Sequence, residues 1–201
     1  TLYGELESLL ADAGITLQGV AVFAAGAGPG SFTGLRVALA AAKALAFALG
    51  KRATAVTSLR VLAENATDPS AEWLCPAIDA RKGEVYAAVY RRQGPDLVEV
   101  VAPWVGKAED AALRARAVSP DIVFLGSGAA LAPKVLTPTG FEPRISALAL
   151  AQLVRRQLVT GEPLAPVVAR YVRPAEAEVK FGLAITLDPL ASVLTPSDAD
   201  G

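Results

Sequence analysis

Apolar positions recur with helical spacing at Leu2, Leu6, Leu9 and Leu10, with Glu5, Glu7 and Asp12 on the other faces. This pattern predicts a helix that Gly14 ends. A short apolar run from Val20 to Ala25 then predicts a buried strand, followed by the glycine-rich turn Gly26-Ala-Gly-Pro-Gly30. A long helix is expected from Ser31 or Thr33, both suited to N-capping, to Leu49, with Gly50 as its stop. Between Leu35 and Leu49 only Arg36 and Lys43 are polar. A helix apolar on nearly every face must be covered on nearly every face.

A strand at Ala53–Val56 and a helix from Thr57 or Ser58 to Asn65 come next, and then the linker Thr67-Asp-Pro-Ser70. Beyond it the period changes. Trp73–Ile78 and Glu84–Tyr90 alternate around the turn Asp79–Gly83, which predicts a hairpin, and Leu97–Val101 would add a third antiparallel strand. A charged helix at Lys107–Ala117, a strand at Asp121–Leu125, the turn Gly126-Ser-Gly128 and an amphipathic helix from Ser146 to Val159 complete the pattern. There is no fixed-period repeat. Strands alternating with helices, joined to a meander, predict an α/β protein of two subdomains, 1–68 and 69–180, with the C-terminal part of the second returning to the first. Residues 181–201 are expected to form a weakly structured tail.

Composition narrows the chemistry. The chain has 201 residues, 53% of them hydrophobic, and a net charge of −1. No basic block is present to neutralise a run of phosphates, so RNA is expected to be reached only through a partner. There is no histidine, which excludes a Ser-His-Asp or Cys-His centre and any histidine-held metal in this chain. Cys75 is the single cysteine, so no internal disulfide forms, in keeping with a cytoplasmic setting. No signal peptide is visible, and the longest uncharged run, Ala13–Leu35, is too interrupted by glycine to cross a membrane. The chain opens at Thr1 and lacks methionine, as a processed or truncated product would.

The segment Gly26-Ala-Gly-Pro-Gly-Ser-Phe-Thr-Gly34 stands between a strand and a helix, where backbone amides can hold an anion. It fits no known phosphate motif. A P-loop needs Lys then Ser or Thr after its last glycine, but Leu35 and Arg36 follow here, and a dinucleotide fingerprint needs glycine where Ser31 stands. A ligand-free strand-to-helix turn is the plainer reading. Ser31 or Thr1 as a nucleophile would need a base other than histidine. Asp79-Ala-Arg-Lys-Gly-Glu-Val-Tyr86 concentrates charge in a hairpin turn, with Arg81 able to pair with Asp79 or Glu84, and on its own it is a solvated turn.

Three blocks taken together carry a resemblance. Gly28-Pro-Gly-Ser-Phe-Thr-Gly-Leu-Arg36 with its Ala/Lys helix, the block Asp79–Tyr86, and Pro166–Arg173 ending Tyr-Val-Arg resemble, in order and spacing, the motifs of the TsaB/YeaZ family. The resemblance implies an α/β, actin/Hsp70-like (ribonuclease H-like) fold of two subdomains. It implies a non-catalytic subunit in the synthesis of threonylcarbamoyladenosine (t6A) on tRNA. Its partner would be a TsaD-like catalytic subunit that carries a histidine-bound metal, and a TsaE-like ATPase joins them. ATP and metal then belong to the complex, and this chain alone binds no cofactor. The pairing helices would be 2–13 and 31–49, with Leu2, Leu6, Leu9, Leu35, Arg36, Leu39, Ala42, Lys43 and Ala46 at the interface, and a homodimer is expected when the chain is alone. Gly28, Gly30, Ser31, Thr33 and Gly34 form the family loop, and Asp79, Arg81, Glu84 and Tyr86 the second motif. On this reading Ala42→Glu abolishes pairing and leaves the fold intact. The family's opening strands, with an Ile-Asp-Thr-Ser-like motif, do not precede Thr1, which is expected to expose an edge of the first sheet. The rival reading is an actin-like phosphotransferase holding nucleotide between Gly26–Gly34 and Gly126–Gly128.

Overall fold

The computed structural model describes residues 2–66, 70–131 and 144–172. Two parallel strands, β1 (Val22–Gly26) and β2 (Arg52–Val56), pair in register from Val22↔Arg52 to Gly26↔Val56. They are joined through α2 (Phe32–Leu49). Ser31 Oγ accepts from Gly34 N at 3.3 Å, and Gly50 closes the helix at φ +61°. That left-handed cap is nearly free for glycine and strained for other residues. Leu39 and Ala42 of α2 meet Phe23, Ala25, Ala53 and Ala55 of the sheet. Alanine on both sides lets helix and sheet approach closely, but each contact buries little apolar surface.

A leading helix, α1 (Leu2–Ala13), buries none of its residues and ends at Gly14, where Gly14 N and Ile15 N bond back to Ala11 O and Leu10 O. The chain then makes a 3-10 turn at Leu17–Gly19, so β1 starts at Val22 rather than Val20.

The second sheet has the order β5-β4-β3-β6. Its strands are β3 (Trp73–Arg81), β4 (Glu84–Gln93), β5 (Asp96–Lys107) and the short parallel β6 (Val123–Leu125). β5 extends well past the Val101 expected for it. Pro103 lies where its pairing with β4 shifts register, between Val89↔Val101 and Ala87↔Trp104. On an edge strand a residue without an N–H is tolerated at such a bulge. The side chains of β4 alternate between two cores. Val85, Ala87 and Val89 pack with Ala111, Ala112 and Ala115 of α4 (Ala108–Val118). Ala88 and Tyr90 pack with Leu59 and Leu62 of α3 (Ser58–Glu64).

Thus α3, on the N-terminal side of the boundary expected near residue 68, contributes its leucines to the core of the second sheet. In the other direction, α5 (Ala147–Thr160) contacts β1, and Val167 joins the core under α2. The expected tail at 181–201 lies outside the described residues. Among the described residues β1 pairs only with β2, and its other edge borders an apolar groove of about 320 Å³ between α1, α2 and Leu150 of α5.

The β3–β4 hairpin turns through Lys82-Gly83, both at positive φ (55° and 72°), with Arg81 at 70° beside a register shift. Turns with two positive-φ positions favour Asn-Gly, and lysine in the left-handed region is strained. Lys82→Asn is expected to raise unfolding stability by about 0.5 kcal/mol in urea titrations.

Candidate functional site

The first and third sequence blocks come together in space. Ala27 N donates to Val56 O, Ser58 N donates to Gly28 O, and Arg170 N donates to Ala27 O, each at 2.7 Å. The turn after β1 is therefore tied to the end of β2, the start of α3 and a segment more than a hundred residues later. Gly28 has φ +100°, and a Cβ there would stand 3.0 Å from both Arg170 O and Leu35 Cδ1. The glycine answers to close packing and to φ, so no ligand is needed to explain it. Ser31 is the N-cap of α2, while Thr33, the other capping candidate, is exposed within its first turn. Gly34 abuts the Ser31 hydroxyl, and Gly30 has open space around it.

Beside this knot the exposed side chains of Phe32, Arg36 and Tyr171 form a cluster. The Arg36 guanidinium lies 3.7 Å from the Phe32 ring centroid and its Nε donates to Tyr171 Oη at 3.3 Å. The Phe32 and Tyr171 rings are 5.6 Å apart. Arg36 is thus engaged with its own chain, through cation–π and hydrogen-bond contacts.

The second block docks elsewhere. Asp79 N donates to Ser127 Oγ at 3.2 Å, and Asp79 Oδ1 accepts from Arg81 N at 2.7 Å. The Arg81 side chain is almost fully exposed, 3.9 Å from Asp79 Oδ2, and Glu84 and Tyr86 are half-buried on β4. The Gly126–Gly128 turn packs against the same hairpin. A Cβ on Gly126 would lie 2.6 Å from Ala77 O, and one on Gly128 2.8 Å from Ala77 C. Backbone proximity accounts for both glycines.

The helix faces require a correction. Leu35, Leu39, Ala42 and Ala46 are buried, and Leu39 and Ala42 belong to the core against β1 and β2. The face assigned to a partner is therefore turned into the chain's own interior, and Ala42→Glu would disturb that core rather than probe pairing. The opposite face of α2 carries Val37, Ala40, Ala44 and Phe47, with Val37 51% and Phe47 78% exposed. Arg36 is exposed and Lys43 half-buried. On α1, Leu2 and Leu9 are exposed, and Leu6 is half-buried in the groove facing β1. Spacings of three and four give both stripes of α2, and only burial distinguishes them. Of the described helices α2 alone is long and apolar enough to cross a membrane, yet one face of it is committed to the sheet.

Two buried acids hold their protons. Burial pushes the Cys75 thiol up to about 12 and the Tyr90 phenol up to about 12. Cys75 is accordingly a core residue with little nucleophilic character.

A family model described as "TsaD: tRNA N6-adenosine threonylcarbamoyltransferase" matches residues 1–170. The "tRNA threonylcarbamoyladenosine biosynthesis protein TsaB" of Bacillus subtilis (strain 168) is 32% identical over 188 residues, covering 88% of this chain and 80% of that protein. The chain belongs to the TsaB/YeaZ family. The Escherichia coli (strain K12) protein of the same description is 34% identical over 110 residues, 54% of this chain and 45% of its own length. A solved structure described as an uncharacterized protein with similarity to peptidase YEAZ, from Pseudomonas aeruginosa, superposes with a TM-score of 0.72 at 31% identity. It covers 86% of this chain and 82% of that one. The structure "YeaZ from Pseudomonas aeruginosa" gives 0.69 at 28% identity, covering 85% of this chain and 83% of that one. The fold is therefore the actin-like, ribonuclease H-like α/β fold of the TsaB/YeaZ family.

Two outcomes are expected. Gly28→Ala forces a side chain into a positive-φ position against Arg170 O, and should cost about 2 kcal/mol by urea unfolding. The folded state keeps the Cys75 and Tyr90 protons that the unfolded chain sheds above their ordinary values of 9.0 and 10.0. Stability is then full below pH 9 and falls as pH rises toward 12, and Cys75→Ala should flatten the lower part of that decline in urea midpoints measured against pH.

Proposed function

We propose that this chain is the non-catalytic partner subunit in the synthesis of threonylcarbamoyladenosine on tRNA. It pairs with a TsaD-like catalytic subunit through the outward faces of α1 and α2. The observation that carries this reading is the apolar stripe Val37, Ala40, Ala44 and Phe47, exposed through the middle of α2, together with the exposed Leu2 and Leu9 of α1. A row of exposed apolar side chains along a helix marks a candidate interaction surface. The descriptions of its relatives supply the reaction.

The rest of the reading follows from composition. A chain without histidine leaves a histidine-held metal, and with it the transfer chemistry, to the partner. ATP enters through the complex and a TsaE-like ATPase. A net charge of −1 leaves tRNA binding to the assembly. Alone, the same stripe pairs with a second copy, and the setting is the cytoplasm.

Size-exclusion chromatography with light scattering, on the chain alone and with its cognate TsaD, tests the proposal. A self-dimer that gives way to a one-to-one complex is expected. Val37→Asp and Phe47→Asp should each weaken that complex by about ten-fold or more while leaving the melting temperature of the isolated chain nearly unchanged. Undiminished pairing in both variants would sink the assignment of this face.

A further inference from the structure

The outward face of α2 has a finer pattern than apolar exposure alone. Val37, Ala40, Ala44 and Phe47 follow one another at intervals of three, four and three, the spacing of a seam between two packed helices. Arg36 and Lys43 each stand one place before a seam residue, so both line the same flank of it. They are seven residues apart, about 10 Å along the helix axis. The leading helix carries the opposite charge at the same interval. On α1 the seam reads Leu2, Leu6, Leu9 and Ala13, and the exposed Glu5 and Asp12 each stand one place before a member of it. α1 has no base and α2 has no acid.

The chain itself does not use this match. Among the described residues Glu5, Asp12 and Lys43 have no ion-pair partner, and Arg36 is held only by the Phe32 ring and the Tyr171 hydroxyl. Those two contacts fix the Arg36 guanidinium while leaving its terminal nitrogens open to an acceptor. Within the chain α1 borders α2 at Ala38, Ala41 and Leu45. At 100° per residue these lie on the flank of the seam opposite Arg36 and Lys43. The acids of α1 and the bases of α2 are therefore kept apart in one copy and left available to another.

We propose that two copies pair about a two-fold axis, α1 of each lying antiparallel along α2 of the other, with Glu5 facing Lys43 and Asp12 facing Arg36. The inference rests on the reading of these outward faces as the pairing surface, and it adds their orientation and register. On both helices the charges precede the seam residues, which puts them on the same flank. Like flanks of two facing helices meet when the helices run antiparallel; run parallel, the acids and bases would lie on opposite sides of the seam. An isologous contact needs a self-complementary surface, and a chain with an acidic helix beside a basic one supplies both halves. The two-fold axis then uses each pairing twice. Such flanking charges select partner and orientation, while the apolar seam between them supplies the burial.

Sedimentation equilibrium on the full chain tests this with two charge-reversed variants. Glu5→Lys with Asp12→Lys makes α1 basic, and Arg36→Glu with Lys43→Glu makes α2 acidic. Each variant alone opposes like charges and should self-associate about ten-fold more weakly than the wild type, or worse. Mixed one to one, the two match at both contacts and should form a dimer as readily as the wild type does. The neutral variant Glu5→Gln with Asp12→Asn adds no repulsion and should lose most of the salt dependence of the wild-type dimer. If a reversed variant fails to fold, the neutral one decides, because an unchanged salt dependence sinks the charge pairing. A wild-type chain that stays monomeric at its highest soluble concentration, undiminished self-association of both reversed variants, or folded reversed variants that do not pair when mixed would overturn the proposal. Val37→Asp separates it from the reading beneath it. A dimer lost there but kept in the reversed variants removes the register alone, whereas a dimer that survives Val37→Asp removes the face itself.

Discussion

Among the described residues, the backbone at Ala27 and Gly28 is the knot that ties the first sheet to α3 and to the returning C-terminal segment. Three hydrogen bonds converge there, from the Ala27 amide to Val56, from Ser58 to Gly28 and from Arg170 to Ala27. The first sets the ends of β1 and β2 side by side. The second fixes the start of α3, which then lies on the second sheet and places Leu59 and Leu62 in its core. The third holds the returning segment, whose Val167 helps to fill the space beneath α2. A side chain at position 28 would crowd the Arg170 carbonyl and Leu35 from a positive-φ backbone, so glycine is strongly favoured there.

A second tie is electrostatic. Glu64, at the end of α3, accepts from both Arg60 and Arg156 through one carboxylate oxygen, so α3 and α5 share an anion. Its side chain is only 11% exposed, which limits screening by salt. The backbone knot and this ionic node lie at opposite ends of α3. Together they pin both ends of α3, one to the first sheet and one to α5.

Much of the architecture was legible in the pattern of residues. Ser31 and Gly50 bracket α2 as capping chemistry requires, and alternation around Lys82-Gly83 marks the hairpin. Three short blocks gave the family. What failed to show has physical causes. In α2 alanine fills both faces, so period alone could not say that Leu39 and Ala42 point inward while Val37 and Phe47 point outward. The length of β5 was hidden by Pro103, which is compatible with a strand only because the strand lies at an edge and is bulged there. The allegiance of α3 to the second sheet is a tertiary fact with no local signal. The knot at Ala27 and Gly28 was invisible for the same reason, since the fold brings Ser58 and Arg170 to it from distant stretches of chain.

The bond between Arg170 and Ala27 has a bearing on how the chain is made. The two residues are separated by 143 positions (170 − 27), which at ordinary rates of translation corresponds to roughly 7–30 s of elongation. Through that interval the nascent first sheet must wait without the segment that completes its core. The sheet-facing side of α2, with Leu39 and Ala42, thus lacks the cover of Val167 until nearly the whole chain has been made.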